Sequence, residues 1–233
     1  IKALNKKQRE SVVGKSYCQL GEYVKKIYKS LNFELTNAQI KVLREIRSDF
    51  KSNVSMNRLI QGDVGCGKTI VSVLAGAIIV GNNAQVAILA PTEILAEQHY
   101  KTFHNYFSPY NLNCKLLISN ITKKNKENIY SELKAGKINI IIGTHALIQE
   151  NVLFKNLGLV IIDEQHKFGV KQRKDLSDKG GKNCDVLVMS ATPIPRTMVM
   201  TIYGDMDVTL IKKKPKNRKE ITTYSKLEDN VEE

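Results

Sequence analysis

No apolar run in the chain reaches the ~18 residues that a bilayer span requires, and no signal peptide opens it, so no membrane partner is expected. The four cysteines, Cys18, Cys66, Cys114 and Cys184, include no CxxC pair, which argues against a zinc site and against a disulfide framework. A reducing cytoplasm is the expected location. No internal repeat is found. Acidic residues are scarce: 23 Asp and Glu stand against 36 Lys and Arg, giving a net charge of +13. Such a balance asks for a polyanionic partner, nucleic acid before membrane, because no basic amphipathic helix or lipidation signal accompanies it. A lysine-rich proteome would produce the same balance, so charge alone does not decide. What is present is enough for a core. With 42% hydrophobic and 25% charged residues disorder is not expected, and 233 residues suit one large domain or one and a half. Residue 1 is Ile rather than Met, and the chain is expected to be a piece of a longer protein.

Along the chain, residues 1–33 read as a basic helical segment interrupted by Gly14 and Gly21. "LTNAQIKVLREI" then opens a helix, with Thr36 and Gln39 at capping-box spacing and Ile40, Leu43 and Ile46 at helical intervals. Beyond it, short apolar runs at 58–61, 85–90, 114–118, 138–144, 157–163, 185–191 and 207–211 alternate with helical stretches such as 92–107 and 122–135. Several runs are apolar without alternation, as strands covered on both faces should be. This rhythm predicts an α/β domain over 34–211, a mostly parallel central sheet with helices on both faces. Residues 212–233 begin with the charge run "KKKPKNRK" and read as a linker leading onward.

One turn carries specific chemistry. In "QGDVGCGKT", Gly62, Gly67, Lys68 and Thr69 fit the G-x-x-x-x-G-K-[ST] phosphate loop. The residues from Gly62 through Asp63, Val64, Gly65, Cys66 and Gly67 would wrap the phosphates of ATP with backbone N–H groups at a helix N-terminus. Lys68 would neutralise the β/γ-phosphates, and the Thr69 hydroxyl would face Mg²⁺. A bare glycine-rich turn without ligand is the alternative. A nucleotide hydrolase also needs a carboxylate at a neighbouring strand end, and "LVIIDEQH" supplies two. Asp163 is placed to hold the Mg²⁺ water shell, and Glu164 to polarise the attacking water. His166 directly follows the acidic pair, and a polar coupling role is expected of it over that of a satisfied structural histidine.

Together these pieces resemble the first motor domain of superfamily 2 helicases and translocases, a RecA-like phosphate-loop fold, from residue 33 onward. "APTEILAEQH" is similar to motif Ia, "GTHALIQ" to Ib, "DEQH" to motif II and "SAT" to motif III. The strings "QGDVGCGKT", "DEQHKFGV" and "YGDMDV" bring it nearest to the RecG family of branched-DNA translocases; that family usually has Ser at Cys66 and Arg at Lys167. The transcription-repair coupling factors share "TPIPRT" and the phosphate loop but carry Glu where Gln165 stands, and are the runner-up. The resemblance implies that Gln39 reads the adenine edge, with Phe33 stacking nearby, although Gln39 can equally serve its own helix cap. It implies that Thr92, Thr144 and His145 contact the DNA backbone, and that Ser190 and Thr192 transmit the state of the γ-phosphate. Each of these hydroxyls could instead cap the next helix. It further implies a monomer working on branched duplex DNA, with a wedge domain preceding residue 1 and a second RecA-like lobe following. Alone, the chain is expected to bind nucleotide and some DNA but to hydrolyse ATP poorly.

Two other function classes stay open. A non-catalytic nucleic-acid module would explain the charge but leave Lys68 and the acidic pair without purpose. A small-molecule kinase would use the phosphate loop but would need an acceptor pocket, and "SATPIPRT" would have no role. The basic run at 212–219 is read as a solvated linker ahead of a DNA-contacting strip.

Overall fold

The computed structural model describes residues 15–164, 170–181, 184–192 and 206–211. Seven strands form a single sheet: β1 (Asn57–Gly62), β2 (Gln85–Leu89), β3 (Cys114–Leu117), β4 (Ile140–Gly143), β5 (Leu157–Asp163), β6 (Asp185–Ser190) and β7 (Asp207–Ile211). Their order is β3-β4-β2-β5-β6-β1-β7, and every neighbouring pair is parallel. Among the described residues six α-helices accompany them: α1 (Glu22–Lys29), α2 (Asn37–Lys51), α3 (Lys68–Gly81), α4 (Glu93–Phe107), α5 (Lys123–Ala135) and α6 (Val170–Asp178). Within the segment expected to be helical, α1 forms while residues 15–20 do not, and residues 1–14 lie outside the described ones.

Side-chain alternation divides the strands between two cores. In β5, Leu159 and Ile161 join a core built with α1 to α4, whereas Val160 and Ile162 join a second core with Ile129 and Leu133 of α5 and Leu176 of α6. Both faces are therefore covered, which is why these strands read as unbroken apolar runs. Helix α3 is buried at every position from Ile70 to Val80, as befits a helix apolar all round. It packs against β2, β5, α1, α2 and α4, so whatever its N-terminus holds is held rigidly. Among the described residues, no helix is long and apolar enough to cross a membrane.

A buried ion network ties the far edge of the sheet to α2. Arg58 of β1 donates from Nε to Asp49 Oδ2 at 2.6 Å, and from Nη1 to Glu45 Oε2 at 3.0 Å and Thr209 Oγ1 at 2.6 Å. Its fork thus fastens the edge strand β7 and helix α2 onto β1 at one point. Removing one member of such a set strands the others in low dielectric, at about 3–5 kcal/mol for a fully buried pair. Asp49 and Glu45 keep some solvent contact. Arg58→Ala is accordingly expected to lower stability by about 2–3 kcal/mol, read as a drop in melting temperature; Arg58→Lys, which loses the bidentate fork, should recover less than half of it.

Candidate nucleotide site

The chain leaves β1 at Gly62 and enters α3 at Lys68. Between them the loop is shaped by glycines at positions where no other residue fits. A Cβ on Gly62 would stand 2.6 Å from Cys66 Sγ and 3.0 Å from the Ile211 carbonyl. Gly67, the N-cap of α3, has φ +89° and turns its α-carbon towards the Gln39 amide, so a side chain there would meet both a strained backbone and an occupied space. Gly65 also has positive φ, +77°. The Cys66 N–H donates to the Asp63 carbonyl at 3.1 Å, and the Asp63 carboxylate accepts from the Val64 N–H at 3.1 Å. Val64 itself is exposed. Lys68 Nζ lies across the loop and donates to the carbonyls of Gly62 and Asp63 at 2.6 and 3.2 Å, with Thr69 in the next position of the helix.

Gln39 is buried and braces this loop from behind. Its Oε1 accepts from the Thr36 N–H at 2.8 Å while Thr36 Oγ1 accepts from the Gln39 N–H, a complete capping box. Its Nε2 donates to the Cys66 carbonyl at 2.9 Å. A side-chain amide has two donors and two acceptor lone pairs, so one of each remains for a ligand. Gln39, Phe33, Ile70 and Tyr106 line a cleft of about 440 Å³ beside Gly67.

Facing the loop, β5 ends in Asp163, and Glu164 follows it. A second cleft of about 270 Å³ is lined by Lys68, Thr69, His99, Asp163, Glu164 and Ala191 among others, and shares Thr69 and Thr102 with the first. Asp163 accepts on Oδ1 from the Glu164 N–H at 3.0 Å and on Oδ2 from His99 Nε2 at 2.7 Å. Glu164 takes the left-handed backbone conformation, φ +48°, which costs a non-glycine residue on the order of 1 kcal/mol. Its N–H donates to the Met189 carbonyl at 3.0 Å, and Oε1 accepts from the Ala191 N–H at 3.2 Å. The acidic pair is thus fastened to the end of β6. There Ser190 Oγ lies 3.0 Å from Thr192 Oγ1, and the Thr192 carbonyl accepts from Gln61 Nε2 at 3.1 Å. Gln61 belongs to β1, so the three strand ends that meet at the cleft are cross-linked by side chains.

The residues expected to face DNA are not among those lining this cleft. Thr92 is the N-cap of α4, its Oγ1 accepting from the Leu95 N–H at 3.3 Å. Thr144, at the end of β4, is buried and His145 beside it is exposed. His166, Lys167, the stretch 193–205 and the basic run 212–219 lie outside the described residues. Two side chains of the site went unassigned in the sequence reading. His99 was visible as a polar residue on the buried stripe Ala96, His99, Phe103, Phe107 of α4. Gln61 had no such signal, since it is one of three polar residues, with Asn57 and Arg58, on a six-residue strand.

A parallel sheet with a phosphate loop after β1 and an acidic pair after β5, at adjoining carboxyl ends, defines a RecA-like phosphate-loop domain. The DEAD/DEAH box helicase model matches residues 36–201, and the chain belongs to that family. Over 213 residues it is 50% identical to the ATP-dependent DNA helicase RecG of Aquifex aeolicus, covering 91% of this chain and 27% of that protein. RecG of Thermotoga maritima is 52% identical over 228 residues, 98% of this chain and 29% of that one. Among solved structures, RecG bound to a three-way DNA junction superposes with a TM-score of 0.82 at 48% identity, covering 94% of this chain and 29% of that chain. The chain thus spans under a third of the length of these relatives.

Proposed function

We propose that this chain is the ATP-binding motor lobe of a RecG-type helicase or translocase that works on branched DNA, such as stalled forks and Holliday junctions, in recombination and repair. The observation that carries the reading is the convergence of Lys68, Thr69, Asp163 and Glu164 on one cleft, in a chain half identical to RecG proteins. That identity also favours RecG over the coupling factors. The motor would act in the cytoplasm as a monomer.

In this reading the loop from Gly62 to Gly67 wraps the ATP phosphates with N–H groups, and Lys68 exchanges its two carbonyl partners for phosphate oxygens. Gln39 offers its remaining donor and acceptor to the adenine edge, and Phe33, half exposed in the same cleft, stacks on the base. Mg²⁺ fits the donor set: it favours oxygen ligands, keeps several waters and needs only one or two protein groups beside the substrate phosphates. Thr69 and Asp163 would hold it. When bound, the ion would neutralise charge on the phosphates. Glu164, fixed by its bonds to β6, orients and polarises the attacking water. Ser190, Thr192 and His166 would relay the change, and Thr92, Thr144 and His145 would meet DNA phosphates.

The DNA half is tested by anisotropy with a fork and a linear duplex of equal length at two salt concentrations. The expected result is tighter binding to the fork and a steep salt slope, about −0.9 per phosphate neutralised on a log–log plot. Equal, salt-insensitive binding to both would remove the branched-DNA reading.

A further inference from the structure

Asp163 does not stand alone at the end of β5. His99 reaches it from α4, with Nε2 2.7 Å from Oδ2, and both side chains are largely buried, at 8% and 14% exposure. The other carboxylate oxygen is taken by the Glu164 N–H. An ionised carboxylate only accepts hydrogen bonds, so the proton of this contact sits on His99 Nε2. The ring comes from a helix whose flanking buried residues, Ala96, Phe103 and Phe107, are apolar and fully packed, so its position is set by the core rather than by solvent. His99 lines the same cleft as Lys68 and Thr69 but is not itself in the phosphate loop or the acidic pair.

We infer that His99 is a positioning residue: its Nε2–H holds the Asp163 carboxylate in the orientation in which, together with Thr69, it would hold Mg²⁺. The inference rests on the nucleotide-site reading above. Without that donor only the Glu164 N–H holds the carboxylate, whose terminal torsion is broad for Asp, and its orientation is less firmly set. Outer-shell partners of metal-binding groups contribute in this way, and their loss typically costs about 10–100-fold in metal affinity.

The test compares ATP binding with and without Mg²⁺, using a fluorescent ATP analogue and Mg²⁺ titration, for the parent chain, His99→Ala and His99→Gln. Gln places an amide N–H near the position of Nε2. The expected outcome is about a tenfold or greater rise in the Mg²⁺ concentration at half-saturation for His99→Ala, unchanged analogue binding in EDTA, and recovery of most of the Mg²⁺ affinity in His99→Gln. Equal Mg²⁺ affinity in all three proteins would overturn the inference. So would a parallel loss of binding in EDTA for both variants, the mark of a merely structural histidine. A parent chain that binds no analogue under any condition would instead bring down the nucleotide-site reading itself, and the inference with it.

Discussion

Lys68→Ala is expected to weaken Mg-ATP binding by a factor of about 30 to more than 1,000, the equivalent of losing one partner of a desolvated charge pair worth about 2–5 kcal/mol. The size follows from the geometry. Lys68 is the only lysine or arginine among the described residues lining the cleft of the acidic pair. Its ammonium already sits within hydrogen-bond range of two loop carbonyls, so a phosphate needs only a short swing of the side chain to take it over. Isothermal calorimetry on the parent and the variant measures the change. A loss under threefold would mean that the loop's N–H groups alone hold the nucleotide, or that the site lies elsewhere. The fold should be untouched, because among the described residues the lysine bonds only to carbonyls of its own loop and its removal buries no charge.

The second large effect is on stability, at the opposite end of the sheet. Asp185 begins β6 and is 2% exposed; Oδ1 accepts from the Met56 N–H at 2.6 Å, while Oδ2 has no partner among the described residues. Burial pushes its acid constant from the ordinary 3.8 up to about 8, the charge of Asp49 adding to the rise while the Met56 N–H and Lys15 oppose it. A folded-state value above the unfolded one means that the folded chain keeps a proton which the unfolded chain has released. Stability contributed by the neutral acid is therefore complete below about pH 4 and is lost as pH climbs towards 8, at up to about 1.4 kcal/mol per pH unit. Asp185→Asn keeps an acceptor for the Met56 N–H and has no charge to bury. Its melting temperature should exceed that of the parent above pH 6, with the gap closing near pH 4. A gap of constant size across that range would show that the carboxyl is not protonated in the folded chain.

The sheet was legible in the sequence because its inner strands are covered on both faces. All seven apolar runs are strands, with ends displaced by a residue or two where a cap or a turn takes over, as at Ile140–Gly143 inside the run 138–144. Helices α4 and α5 begin one residue after Thr92 and Thr122, the threonines that cap them. Strand order was not legible. That β6 lies between β5 and β1 is decided by packing across the whole chain, and it is this placement that brings Ala191, between Ser190 and Thr192, to Glu164. The phosphate loop could be read from spacing, since every glycine in it answers to a steric demand of the turn. The side chains that hold the site in place were harder to see. Gln39 was readable as a cap through its distance from Thr36, yet its bond to Cys66 spans 27 residues and no local pattern announces it. The His99–Asp163 contact spans 64 residues, and the sole trace of it is a histidine on an otherwise apolar helix stripe.

The motor-lobe reading requires the nucleotide and DNA sites to feel each other, which a passive nucleic-acid module or a small-molecule kinase would not. The most direct measurement is the affinity of the chain for fork DNA in the presence and absence of Mg-ATP at one salt concentration, followed by the reverse titration. Coupling between two binding sites is reciprocal, so the same factor, of about 5–150 for typical coupled sites, should appear in both directions and vanish in Lys68→Ala. Fork affinity that is identical with and without bound Mg-ATP would contradict the proposal that this lobe converts nucleotide state into work on DNA.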